Sequence, residues 1–172
     1  MIFFTADTHF GQDRTLELSK RPFADISEMD ESMVFLWNHY IKEGDTVYHL
    51  GDLGDPDIVD QLNGDIVMIP GNYENARIIS QLKRKDVEVL SKKATITITR
   101  GEKTYKIDLV HEPLNATWEN FTLFGHVHGQ KFKRRGLNVG VDCHHFRPLS
   151  VDDVLFFKEA VEEHYDENVF CE

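Results

Sequence analysis

Through its first half the chain alternates short apolar runs with helix-patterned segments, and this alternation constrains the fold more than any other feature. Residues 2–6 have the length and apolarity of a buried strand. Residues 27–42 place Met29, Met33, Leu36, Trp37, Tyr40 and Ile41 near one helical face, with Ser27 or Asp25 positioned to cap the start and Gly44 to stop the helix. Residues 46–50 read as a second strand, 56–62 as a short helix opened by proline, 65–69 as a third strand and 75–82 as a third helix. A β-α-β-α-β-α order predicts a parallel sheet, because parallel neighbours need crossovers and helices supply them.

The pattern then changes. Residues 87–90 form a short apolar run, 94–99 alternate with period two, 100–103 make a turn and 105–110 return as a strand. Such a hairpin is antiparallel. Residues 121–124 and 137–141 are further strands, and Ser150 opens a final helix with Asp152 and Asp153 in its first turn. Phe156, Phe157 and Val161 are its expected core contacts. The class is α/β with mixed sheets. At 172 residues, a single domain over 1–172 is the expectation.

Charge narrows the partners. There are 30 acidic and 19 basic residues, a net charge of −11, which repels phosphate backbones and anionic membrane surfaces at long range. No apolar run approaches the ~18–20 residues of a membrane span. The first residues lack the basic and apolar regions of a secretory signal. Cys143 and Cys171 have no metal-type spacing, so a reduced, cytoplasmic setting is expected.

Residues of metal-ligand type follow five of the apolar runs. Asp7 and His9 follow the first, Asp52 follows residues 47–51, Asn72 follows 66–71, His111 follows 107–110, and His126 and His128 follow 121–125. In open α/β sheets, ligands bind outside the carboxyl ends of strands. Seven oxygen and nitrogen ligands exceed the needs of one tetrahedral ion and suit two ions sharing a carboxylate. Asp52 is the natural bridge. Mixed Asp, Asn and His ligation without cysteine suits manganese, iron, nickel or zinc, with manganese taken first. His49, inside a strand, reads as a packed structural histidine.

These residues appear as Asp7-Thr8-His9, Gly51-Asp52, Gly71-Asn72-Tyr73-Glu74, His111 and Gly125-His126-Val127-His128. In order and spacing they resemble the motifs of the calcineurin-like metallophosphoesterase family. Residues 138–142 look like the closing strand of its small bacterial and phage members. The resemblance implies a four-layer α/β/β/α sandwich with two metals at one sheet edge. It assigns Asp7, His9 and His128 to the first ion, Asn72, His111 and His126 to the second, and Asp52 to both. It also implies hydrolysis of phosphate esters, diesters before monoesters, by a hydroxide bridging the two ions.

One departure from the family pattern is Tyr73, where a histidine usually assists the leaving group. An ordinary tyrosine hydroxyl, with pKa near 10, suits general acid work poorly at pH 7. Two solvated loop histidines are the expected reading of His144 and His145, with replacement of the missing acid by one of them as the alternative. Arg14, Arg21, Arg147 and Asn72 are candidate phosphate contacts. The basic run 131–135 reads as an exposed hairpin turn, with steering of a nucleotide or a single strand towards the metals, Phe132 stacking on a base, as the alternative. Substrate choice falls to loops 10–25, 112–120 and 129–148. The expected partner is a small phosphate ester or nucleotide. The alternatives are a nuclease or cyclic-nucleotide phosphodiesterase, and a non-catalytic metal-binding interaction module in which Tyr73 marks lost chemistry.

Overall fold

The computed structural model describes residues 1–164, so Cys171 lies outside the described residues. β1 (Ile2–Thr5), β2 (Thr46–His49), β3 (Asp65–Met68) and β4 (Glu88–Val89) run parallel. β5 (Lys93–Arg100) and β6 (Lys103–Val110) form the antiparallel hairpin, and β7 (Phe121–Phe124) and β8 (Gly136–Asn138) extend it as a second, four-stranded sheet in the order β5-β6-β7-β8. A two-residue β9 (Leu149–Ser150) returns antiparallel to β1 and closes the first sheet in the order β4-β3-β2-β1-β9. Two mixed sheets flanked by helices result.

The helices follow the sequence's apolar spacing. α1 (Asp13–Leu18) lies in a segment expected to be loop. α2 (Ile26–Tyr40) starts at Asp25, whose carboxylate accepts the Glu28 N–H. It buries Met29, Met33 and Trp37 with Val47, Ile66 and Met68 from the first sheet. Each such side chain contributes about 1.5–3 kcal/mol through burial. Leu36 is only half-buried and Tyr40 is exposed, so the apolar stripe is narrower than its composition suggested. α3 (Ala76–Arg84) is capped by Asn75.

α4 (Val151–Glu159) begins with a capping box between Ser150 and Asp153 and continues as a π turn over Ala160–His164. Val151, Val154, Leu155 and Val161 join Phe4, Leu50, Leu109 and Leu123 in the core between the sheets. Phe156 is 69% exposed, which corrects its expected core position. With 151, 154 and 155 turned inward, the next residue is carried about 100° round the helix and away from the core. Phe157 is half-buried against the same core.

The expected strand at 137–141 is shorter than its apolar run, because the backbone changes partner. Val139 N–H donates to Phe124 of β7, whereas Val141 N–H donates to Ala6 just past β1. This segment therefore ties the two sheets together and brings residues 140–142 beside the end of β1. The basic run 131–135 forms the expected hairpin: Phe132 bridges Leu137, and Lys133 N–H donates to Gly136. Among the described residues, no helix is long and apolar enough to cross a membrane.

His144 is buried, and its Nε2–H donates to the Asn138 carbonyl at 2.7 Å. Burial lowers its pKa from 6.5 to about 4, so the folded ring is neutral over a range in which the unfolded ring is charged. Its stabilising contribution is complete above about pH 6.5 and is lost as pH falls towards 4. Urea unfolding across that interval should show a shallower pH dependence for His144→Gln than for the natural protein. An unchanged slope would remove His144 from the acid lability of the fold.

Candidate metal centre

The strand ladder continues into the site. Asp7 N–H donates to Gly51 and His9 N–H to Asp52, each at 3.0 Å, so the segments after β1 and β2 stay in register past the strands. Asp7, His9, Asp52 and His126 adopt φ values of 56°, 54°, 59° and 72°. Each left-handed non-glycine residue costs of order 1–3 kcal/mol and persists only where its surroundings impose it. Glycine at 51 is required on two grounds. Its φ is +88°, and a Cβ there would lie 2.6 Å from both Gly71 N and His111 Nδ1.

The carboxylates sit among the imidazoles. Asp7 is fully buried, and both its oxygens accept the His126 N–H, at 3.0 and 2.9 Å. Burial raises its pKa to about 6, against the charges of His111 and His128. Asp52 Oδ1 accepts the Tyr73 N–H at 3.1 Å. Its Oδ2 stands 3.7 Å from His9 Nε2 and 3.3 Å from His111 Nε2. Burial alone would raise Asp52, but His111 outweighs it and holds the carboxyl below its ordinary range. For His111 burial alone would lower the pKa, and Asp52 and Asp7 instead push it up to about 9. The pocket thus favours positive charge between its oxygens.

Three imidazoles have Nδ1 occupied, which leaves Nε2 as the nitrogen available to a cation. His9 Nδ1–H donates to Gln12 Oε1 and His111 Nδ1–H to Leu50 O, and His128 Nδ1–H donates to Asp142 Oδ2, each at 2.7 Å. Such partners fix tautomer and ring orientation for metal ligation. His126 is the exposed member. Its Nδ1 lies 3.1 Å from Asn72 Oδ1, which is also 3.0 Å from His111 Nε2.

The fit to cations rests on an orphaned atom. His9 Nε2 is buried without a hydrogen-bond partner, and burial lowers the ring's pKa to about 4, so its lone pair is free. Asp7, His9 and His128 bring ligand atoms within 4.8 Å of one another, and Asp52, His111 and His126 do the same. Six of the seven sequence-derived candidates thus form two groups, Asn72 joins the second through His111 and His126, and Asp52 Oδ2 faces both. Oxygen and imidazole donors without thiolate suit divalent first-row cations.

A cleft of about 720 Å³ opens over these residues. Tyr73 lines it half-exposed, its ring edge-on to His9 at 5.2 Å. The end of α1 supplies Leu18, Ser19 and Lys20 to the wall. Arg21 also reaches the cleft but is buried and committed to Asp142 and to backbone carbonyls. Arg14 and Arg147 are not among the lining residues. Arg147 pairs with Asp153 and lies over the Tyr40 ring. Neither His144 nor His145 lines the cleft; His145 is a solvated loop residue, as expected, whereas His144 is buried, which corrects the expectation of a solvated ring there. His144 is spent on the Asn138 carbonyl. His49, as expected, is packed: it is buried, with Nε2 against Thr8 Oγ1.

The sequence does not single out Gln12, Ser19 or Lys20, because no apolar run points to them, and Asp142 figures only as the end of the stretch 138–142, with no role of its own. Glu74 stood only as the last residue of its motif. Its carboxylate accepts the N–H groups of Asp52, Leu53 and Gly71, tying the turn after β2 to that after β3.

Comparison with known proteins agrees with this architecture. A protein of unknown function from Aquifex aeolicus, solved by crystallography, superposes with a TM-score of 0.72 at 19% identity, covering 91% of this chain and 98% of that one. An uncharacterized protein of Methanocaldococcus jannaschii is 28% identical over 173 residues, which is 90% of this chain and 89% of its own. Residues 1–153 match the model of the calcineurin-like phosphoesterase superfamily domain, and the chain belongs to that superfamily.

Proposed function

We propose that the protein is a binuclear metal-dependent phosphoesterase that prefers phosphodiesters, with manganese as its first-choice cation. The observation that carries this reading is Asp52 Oδ2, placed 3.7 Å from His9 Nε2 and 3.3 Å from His111 Nε2, one carboxylate oxygen offered to both ligand groups. Two bound divalent cations would supply positive charge for the phosphoryl oxygens and a water acidified towards neutrality.

The chain's own part is positioning. Phosphoryl transfer needs little covalent help from protein. Cys143 is no nucleophile, since burial pushes its thiol up to about 11 and its Sγ donates to the His128 carbonyl. Lys20 lines the cleft without a hydrogen bond or ion pair among the described residues, which leaves it available to a substrate oxygen. With Arg21 already engaged, a singly charged diester suits this wall better than a doubly charged monoester. Tyr73 offers a hydroxyl for hydrogen bonding and an aromatic surface at the cleft wall.

Purified protein with added manganese should hydrolyse bis-nitrophenyl phosphate, and a chelator should abolish turnover. Asp52→Asn should lower kcat/KM by on the order of 100-fold or more, because it removes the ligand both cations share. A natural protein that binds manganese yet turns over no phosphate ester would favour the interaction-module reading. Product analysis on nucleotides and oligonucleotides would separate the nuclease alternative.

Tyr73 makes a second prediction. Nitrophenyl esters leave without protonation, so Tyr73→Phe should change their hydrolysis little. Tyr73→His should raise turnover of alkyl esters by roughly 100-fold, the low end for a placed general acid. No gain on alkyl esters would show that this position does not serve the leaving group.

A further inference from the structure

Arg21 and Asp142 belong to neither ligand group, yet both contact the first one. Arg21 Nε and Nη2 donate to Asp142 Oδ1 and Oδ2 at 2.9 and 2.8 Å. Its Nη1 donates to the Thr8 carbonyl at 2.8 Å and its Nη2 to the Asp7 carbonyl at 2.6 Å. Asp142 Oδ2 also accepts His128 Nδ1–H at 2.7 Å, and Ser19 Oγ lies 3.0 Å from the same nitrogen. One guanidinium therefore grips the backbone between Asp7 and His9, where both adopt left-handed φ, and holds the His128 ring through Asp142. By contrast, among the described residues Arg21 and Asp142 make no hydrogen bond to Asn72, His111 or His126.

Stability alone does not account for this pair. Desolvation of a buried ion pair offsets most of its Coulomb gain, and apolar residues of similar volume often do as well. What apolar residues cannot do is dictate which imidazole nitrogen carries the proton, or hold two carbonyls of a strained turn.

We propose that Arg21 and Asp142 are positioning residues for the first metal pocket, orienting His128 so that Nε2 faces the cation and fixing the Asp7-Thr8 backbone. This rests on the metal-centre reading above and adds an asymmetry to it. The first pocket depends on a contact between residues 121 positions apart in the chain, and the second does not.

The test measures manganese affinity by calorimetry in two single-pocket proteins. His126→Ala keeps the pocket of Asp7, His9 and His128, whereas His128→Ala keeps that of Asn72, His111 and His126. Adding Asp142→Asn to the first should weaken manganese binding roughly 10- to 100-fold, the usual effect of losing an outer-shell partner. Adding it to the second should leave affinity unchanged, which a general loss of structure would not do. Arg21→Gln should act in the same direction, and the two changes together should add little beyond either alone. Circular dichroism of the metal-free proteins checks folding, and Asp142→Asn, which preserves side-chain size, carries the test if Arg21→Gln unfolds. Unchanged affinity in the first pocket, or an equal loss in both, overturns the proposal and leaves the metal-centre reading standing. A natural protein that binds no manganese overturns both.

Discussion

Two carboxylates, Asp7 and Asp52, are held inside the molecule at the ends of adjacent parallel strands, and the site is arranged around them. Burying either charge alone is expensive, and burying both close together adds repulsion. The surroundings answer with donors rather than with water. Asp7 takes the His126 N–H on both oxygens, Asp52 takes the Tyr73 N–H, and His111 stands beside both carboxylates. The charge balance that lifts His111 to about 9 is the same one that suits the pocket to a cation.

That arrangement requires the backbone to bend sharply where the strands stop. The bends are imposed from three sides. The β1–β2 ladder runs on through Asp7 and His9, Glu74 gathers three N–H groups from the turns after β2 and β3, and the handover at residues 139–141 pins the end of β1 from the second sheet. Each contact is worth about 0.5–1.5 kcal/mol, or somewhat more to a charged partner. Together they are of the size needed to keep four residues in left-handed conformations. The strain is thus borne by the sheet ends, not by the sheets, whose interiors are ordinary Val, Ile, Leu and Phe packing.

The sequence revealed most where periodicity and ligand type coincide. Apolar runs of strand length located β1, β2, β3, β6 and β7, and the polar residue after each run fell at the shared edge because successive parallel strands end on the same side. Capping at Ser150, and at Asp25 as one of two candidates, was equally local. What stayed hidden depends on distant partners. α1 has no side-chain cap and little apolar content, β9 is two residues long, and Phe156 looks like core until the phase of α4 is fixed by Val154 and Leu155. Arg14 and Arg147 are as plausible as Arg21 by residue type. Only the fold places Arg147 over Tyr40 and Arg21 beneath the cleft.

The division of labour around the cleft follows from which groups are already satisfied. Arg21 has spent its donors on Asp142 and on two carbonyls, so it serves geometry and has little left for a substrate. Lys20, its neighbour, is exposed and unpaired among the described residues, so its charge remains available at the cleft wall. Adjacent cations thus take opposite roles, one locked inward and one turned to the cleft. Ser19 joins them, with its hydroxyl against His128. A substrate touching Lys20 therefore meets the same short stretch of chain that steadies the first ligand group. Loop length in this stretch is constrained from the inside as well as by what it must recognise.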